Sequence, residues 1–86
     1  LGLFKIILNK PLSRSIIHLK PGETGIVSGF TDSDIGVKLM EMGCLPGVRV
    51  RVNFYAPLGD PVCISVAGYE LSLRLAEAST VSILTE

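Results

Sequence analysis

Apolar positions recur with two different periods along the chain, and each change of period marks an element. A strand from about Thr24 to Phe30 carries Ile26, Val27 and Phe30. It follows Lys20-Pro21-Gly22-Glu23, whose proline and glycine predict a type II turn. The spacing then lengthens. Ile35, Leu39 and Met42 fall at i, i+4 and i+7, one inward stripe of a helix. Thr31 is the expected N-cap with Asp34 at N3, and Asp34 and Lys38 form an i, i+4 pair. Gly43 is the expected left-handed residue after the helix, Cys44 then packs back on Leu39, and Pro46 prevents resumption.

After Pro46-Gly47 the period falls to two. Val48, Val50, Val52 and Phe54 alternate with Arg49, Arg51 and Asn53, the clearest amphipathic strand in the sequence. Ala56-Pro57-Leu58-Gly59-Asp60-Pro61 reads as a loop, because its prolines and glycine cannot hold a ladder. Val62, Ile64 and Val66 alternate with Cys63 and Ser65, leaving Cys63 half-exposed; Gly68 turns the chain. Leu71, Leu73 and Leu75 then alternate with Glu70, Ser72 and Arg74, completing a tight hairpin, and a last strand from about Thr80 to Leu84 places Val81 and Ile83 inward. Residues 1–12 form an N-terminal extension to which periodicity assigns no structure, so the domain is expected over 13–86.

About five short strands and one short helix predict a mainly β chain. An SH3-like barrel is the economical closure, since it leaves little exposed edge; a split β-sandwich is the alternative. At 86 residues, a single domain with one small core is expected. Eight basic and eight acidic residues give no net field toward nucleic acid or anionic lipid. The apolar runs Leu1–Phe4 and Ile6–Leu8, split by Lys5, fall well short of the ~20 residues of a membrane span. No signal sequence is visible, although the chain opens on Leu1, and a soluble cytoplasmic protein without membrane insertion is expected.

The residues that carry chemistry are few. Cys44 and Cys63 do not make a zinc cage, and reduced buried thiols are the simpler reading. His18 is the single histidine; among Ile16, Ile17 and Leu19 it reads as structural, which leaves no Ser-His-Asp or Cys-His constellation. Asp32 and Asp34 serve helix capping, and no glycine-rich phosphate cradle is present. No enzyme, cofactor or metal site is expected. Arg49 and Arg51 share a strand face, with Lys38 or Arg74 as neighbours, yet Tyr55 and Tyr69 are the only exposed-type aromatics, too few for nucleic-acid or proline-rich peptide capture. A partner surface remains, built on Met40 beside Val37 and on Leu58 in the proline-braced loop.

The ordered series Leu19-Lys20-Pro21-Gly22-Glu23, Lys38-Leu39-Met40-Glu41-Met42-Gly43, Leu45-Pro46-Gly47, Ala56-Pro57-Leu58-Gly59-Asp60-Pro61 and Gly68-Tyr69-Glu70-Leu71-Ser72-Leu73-Arg74 resembles the ferrous iron transport protein A (FeoA) family over about residues 13–86. The resemblance implies an SH3-like barrel and an accessory role in bacterial ferrous iron uptake. Its implied partner is the membrane transporter FeoB, with its cytoplasmic GTP-binding domain. Gly43, Pro46, Gly47, Gly59 and Pro61 then set turns, while Lys38, Met40, Arg49, Pro57, Leu58, Gly59, Asp60 and Arg74 are the candidate partner-binding residues. Asp60 has a second reading as an Asx turn before Pro61. The domain type also resembles the C-terminal module of metal-dependent repressors. This gives the alternative of an iron-sensing or metal-carrying module using Cys44, Cys63 and His18, although the chain lacks a helix-turn-helix pattern.

Overall fold

The computed structural model describes residues 14–85, so the extension at 1–12 lies outside the described residues. In chain order the elements are β1 (Arg14–Ser15), a 3-10 turn (Ile16–His18), β2 (Thr24–Phe30), α1 (Ser33–Glu41), β3 (Arg49–Tyr55), β4 (Val62–Val66), β5 (Tyr69–Leu73), α2 (Leu75–Ala78) and β6 (Val81–Thr85). The strands form a six-stranded sheet in the order β1-β6-β2-β3-β4-β5, every pairing antiparallel. One buried cluster joins Ile16, Val27, Leu39, Val50, Ile64, Leu73, Ala78 and Ile83, which come from α1, α2 and most of the described strands. A single sheet can share one core that widely only by curling around it. The mainly β reading holds, with six strands and two helices among the described residues where about five and one were expected.

The expected turn at 20–23 forms, with Glu23 N–H donating to Lys20 C=O at 2.9 Å and Gly22 at φ 91°. Helix α1 starts one residue later than expected: Asp32 is the N-cap, its carboxylate accepting from Ile35 N–H at 3.0 Å. Its end follows the expected pattern. Gly43 N–H donates to Met40 C=O and Cys44 N–H to Leu39 C=O, a Schellman ending with Gly43 at φ 102°. Cys44 is fully buried beside Leu39 in the core. Met42 becomes the C-cap and is exposed, so the inward stripe is Leu39 with the half-buried Ile35. Gly36 completes that face, because a Cβ there would meet Phe30 Cγ at 2.9 Å.

Three further expectations are corrected. Between Val52 and Phe54 the register of β3 against β4 shifts, so Phe54 lies opposite Cys63 on the outer face and Tyr55 turns inward with Val62. Phe54 is therefore exposed and Tyr55 half-buried. Cys63 is buried even though it faces outward, lying between Phe54 and Ser72 on the adjacent strands with the Asn53 amide 3.8 Å from its sulfur. Leu75 leaves the strand to begin α2.

Candidate functional site

The 56–61 loop is a tight turn. Ala56 N–H donates to Pro61 C=O at 2.9 Å and Gly59 N–H to Ala56 C=O at 2.6 Å, with Gly59 at φ 92°. Two side chains fix the loop to distant parts of the chain. At its base, the Tyr55 hydroxyl donates to Leu19 C=O at 2.7 Å. Near its end, the Asp60 carboxylate accepts from Leu75 N–H at 3.0 Å and so caps the first turn of α2. That bond assigns Asp60 a structural task other than the Asx turn. The Glu77 carboxylate completes the cap by accepting from Arg74 N–H at 2.9 Å. The loop thus presents Leu58, 96 % exposed, from a backbone held at both sides.

The candidate residues do not form one surface. Asp60 and Arg74 share a cleft of about 360 Å³ with Pro61 and Ser72, beside Pro57, Leu58 and Gly59. Arg49 lies at the other end of β3, in a depression of about 220 Å³ with Arg51, Thr24 and the Ala67-Gly68 turn. At ~3.3 Å per residue, the seven residues of β3 put roughly 20 Å between the two groups. Lys38 and the half-buried Met40 sit on α1, whose C-terminus packs at the Arg49 end through a hydrogen bond from the Tyr69 hydroxyl to Met42 C=O. Arg74 is therefore remote from Arg49 and Arg51, and these cations make no continuous basic strip. A cleft of about 370 Å³ lined by Arg14, Leu19, Gly22, Glu23, Thr24 and Thr85 holds none of the candidates.

The groups considered for metal lie apart or are engaged. Cys44 is in the core, where desolvation pushes its thiol up and keeps it protonated. His18 is exposed, and its Nδ1 accepts from Ser15 N–H at 3.0 Å, a local bond that holds the 3-10 turn. Among the described residues no three His, Cys, Asp or Glu side chains converge. Both tyrosines serve as crosspieces, an assignment that sequence reasoning missed. Burial raises the Tyr55 phenol, and the Glu23 carboxylate raises it further, so it stays a donor.

The FeoA domain model matches residues 10–84. The chain belongs to the FeoA domain family. Among solved structures, a FeoA-like protein from Clostridium acetobutylicum superposes with a TM-score of 0.79 at 28% identity, covering 85% of this chain and 86% of that one. Zinc-complexed FeoA of Stenotrophomonas maltophilia, described as a prokaryotic SH3 domain protein, gives 0.71 at 26% identity over 80% and 87%. The curled sheet is thus the expected SH3-like fold. A manganese-dependent transcriptional repressor shares the FeoA domain's fold, with a TM-score of 0.78 at 16% identity over 86% of this chain and 37% of that one. No curated protein matches the chain. No helix among the described residues is long and apolar enough to cross a membrane.

Proposed function

We propose that this FeoA domain is a non-enzymatic, cytoplasmic accessory module of ferrous iron uptake that docks on the cytoplasmic part of the FeoB transporter and modulates its uptake or its GTP-binding domain. The observation that carries the reading is the braced 56–61 loop with Leu58 at 96 % exposure. An isolated leucine on a stiff loop loses little entropy on docking and returns its full apolar surface as affinity. Burying that side chain contributes about 1.5–3 kcal/mol. Losing it weakens the complex by roughly 10–100-fold. Asp60 within the loop and Arg74 beside it are polar rim groups, while Lys38, Met40 and Arg49 belong to the other end of the sheet and are expected to matter less.

The test is co-purification from cells expressing both proteins, wild type against Leu58→Glu. The substitution touches no packed neighbour, so the fold and melting temperature should be unchanged while the transporter is lost. Undiminished recovery with Leu58→Glu would remove the loop from the interface. The alternative of an iron-sensing module rests on likeness of fold to repressors alone. Anaerobic titration with ferrous ion of wild type and Cys→Ser variants separates the two readings.

A further inference from the structure

Strand β5 ends the sheet among the described residues, and the hydrogen-bond phase of the sheet fixes what its free edge offers. Val52 directs its main chain away from β4, donating to Glu23 C=O at 3.1 Å and accepting from Gly22 N–H at 2.7 Å. Val52 and Ile64 are therefore a non-hydrogen-bonded pair, which turns Ile64 toward Leu71. Val66 and Tyr69 close the Ala67-Gly68 turn as the next hydrogen-bonded pair. Glu70 and Ser72 alternate with these, so their N–H and C=O groups point outward, away from β4. The next residue in phase, Arg74, is occupied: its N–H donates to Glu77 and its C=O accepts from Glu77 and Ala78. The usable edge is thus Glu70 and Ser72, flanking the half-buried Leu71.

The side chains select the occupant. On the outer face, Glu70 and Ser72 lead toward Arg74, which shares its cleft with Asp60. An acidic strand would meet Arg74 but also Glu70 and Asp60, and a basic strand the reverse. A strand bearing one charge of each sign in opposite order suits both, and β5 turned antiparallel is such a strand. We propose that β5 pairs with β5 of a second copy of this chain, antiparallel about Leu71. Glu70 then lies opposite Ser72 of the second copy and Ser72 opposite its Glu70, using every free main-chain group. Leu71 meets Leu71, and each Arg74 lies diagonally beside the other copy's Glu70, within reach of a long side chain. A register centred on Ser72 would set Arg74 against Glu70 directly but spend its outer bonds on the main chain that α2 already occupies. This edge adjoins the 56–61 loop through the cleft that Ser72 and Arg74 share with Asp60 and Pro61, but its main-chain pairing at Glu70 and Ser72 does not involve Leu58, and the inference stands whether or not the transporter reading holds.

A strand of five residues makes a contact below the usual ~1,200–2,000 Å² of a stable interface, so weak association at roughly hundreds of micromolar is expected. Sedimentation equilibrium and amide chemical shifts of the full chain, followed up to about 1 mM, should show mass rising toward a dimer with shifts concentrated at Glu70–Ser72. Ser72→Pro removes an outward donor and no β4 ladder bond, and should abolish association. Glu70→Arg sets like charges side by side and should weaken it about 3–10-fold, while Glu70→Arg with Arg74→Glu restores it. The charge-swap pair decides the matter if Ser72→Pro fails to fold. A monomer throughout, shifts centred elsewhere, or a double variant no better than Glu70→Arg overturns the proposal. So does a monomer whose Ser72→Pro variant loses the transporter, because the edge would then take a strand of that partner.

Discussion

Replacing Gly43 by alanine tests the helix ending and its junction with the β4–β5 hairpin together. Gly43 sits at φ 102°, where an L side chain costs about 1–2 kcal/mol in backbone strain. An added Cβ would also lie 2.5 Å from the Tyr69 hydroxyl oxygen and 3.3 Å from Ala67 Cβ. The tyrosine must then move and give up its bond to Met42 C=O, a further ~0.5–1.5 kcal/mol. The sum, about 1.5–3.5 kcal/mol, corresponds to a fall in melting temperature of roughly 6–28 °C for a domain of this size. Urea titration of wild type, Gly43→Ala, Tyr69→Phe and the double variant separates the terms. With the hydroxyl absent, the ring carbon behind it is 3.4 Å from the new Cβ, an ordinary contact. Gly43→Ala in the Tyr69→Phe background should therefore cost the backbone share and the small adjustment at Ala67, leaving a coupling of about 1 kcal/mol with the hydroxyl. A single-variant cost under ~0.5 kcal/mol would refute the need for a left-handed residue. Equal costs in the two backgrounds would refute the Tyr69 contact.

Tyr55 makes stability depend on alkaline pH. Its phenol binds the proton more tightly folded than unfolded, so stability is level below the unfolded value of about 10 and falls as pH rises through the folded value. Chemical denaturation from pH 8 to 11 should show that decline in wild type and not in Tyr55→Phe; parallel curves would refute it. Asp60→Ala removes the acceptor for Leu75 N–H and should cost about 0.5–2 kcal/mol, with faster amide exchange confined to 75–79; unchanged exchange there would show that α2 needs no such cap. Cys44, in the core, should resist alkylation in the native state and react only on unfolding, and labelling as fast as that of an unfolded peptide would refute its burial.

Elements whose signals are local were legible in the sequence. Strands β3, β4 and β6 follow from period-two alternation, β2 from its apolar residues after the Pro21-Gly22 turn, and the end of α1 from Gly43 with Cys44 behind it. The misreading at Leu75 has its cause in a partner distant in sequence. Leu75 continues the parity of Leu71 and Leu73, and the acceptor that turns it into a helix start is the carboxylate of Asp60, fifteen residues earlier. Arg74 through Glu77 holds half of a capping-box signal, but arginine stands where serine or threonine would announce it. The extra residue in β3 leaves no mark on an alternating pattern, yet it exchanges Phe54 for Tyr55 on the inner face. Exposure of Leu58 was legible because Pro57 and Gly59 forbid a ladder around it. That Arg49 and Arg74 stand at opposite ends was not, since only the register of β3, β4 and β5 places them.

That division of the candidate residues between two ends bears on which end docks. At the loop end the main chain is already fixed before any partner arrives, by Tyr55 on Leu19 and by Asp60 on Leu75, and its most exposed side chain is apolar. At the other end the exposed Lys38 is a long cation that must be ordered and partly dehydrated on binding. A neutral chain gains no long-range steering to offset that cost. For the proposed docking, preorganisation therefore favours the loop end as the anchor. Leu58→Glu should cost far more binding than Lys38→Ala or Arg49→Ala. The reverse order in a co-purification series would place the anchor at the α1 end.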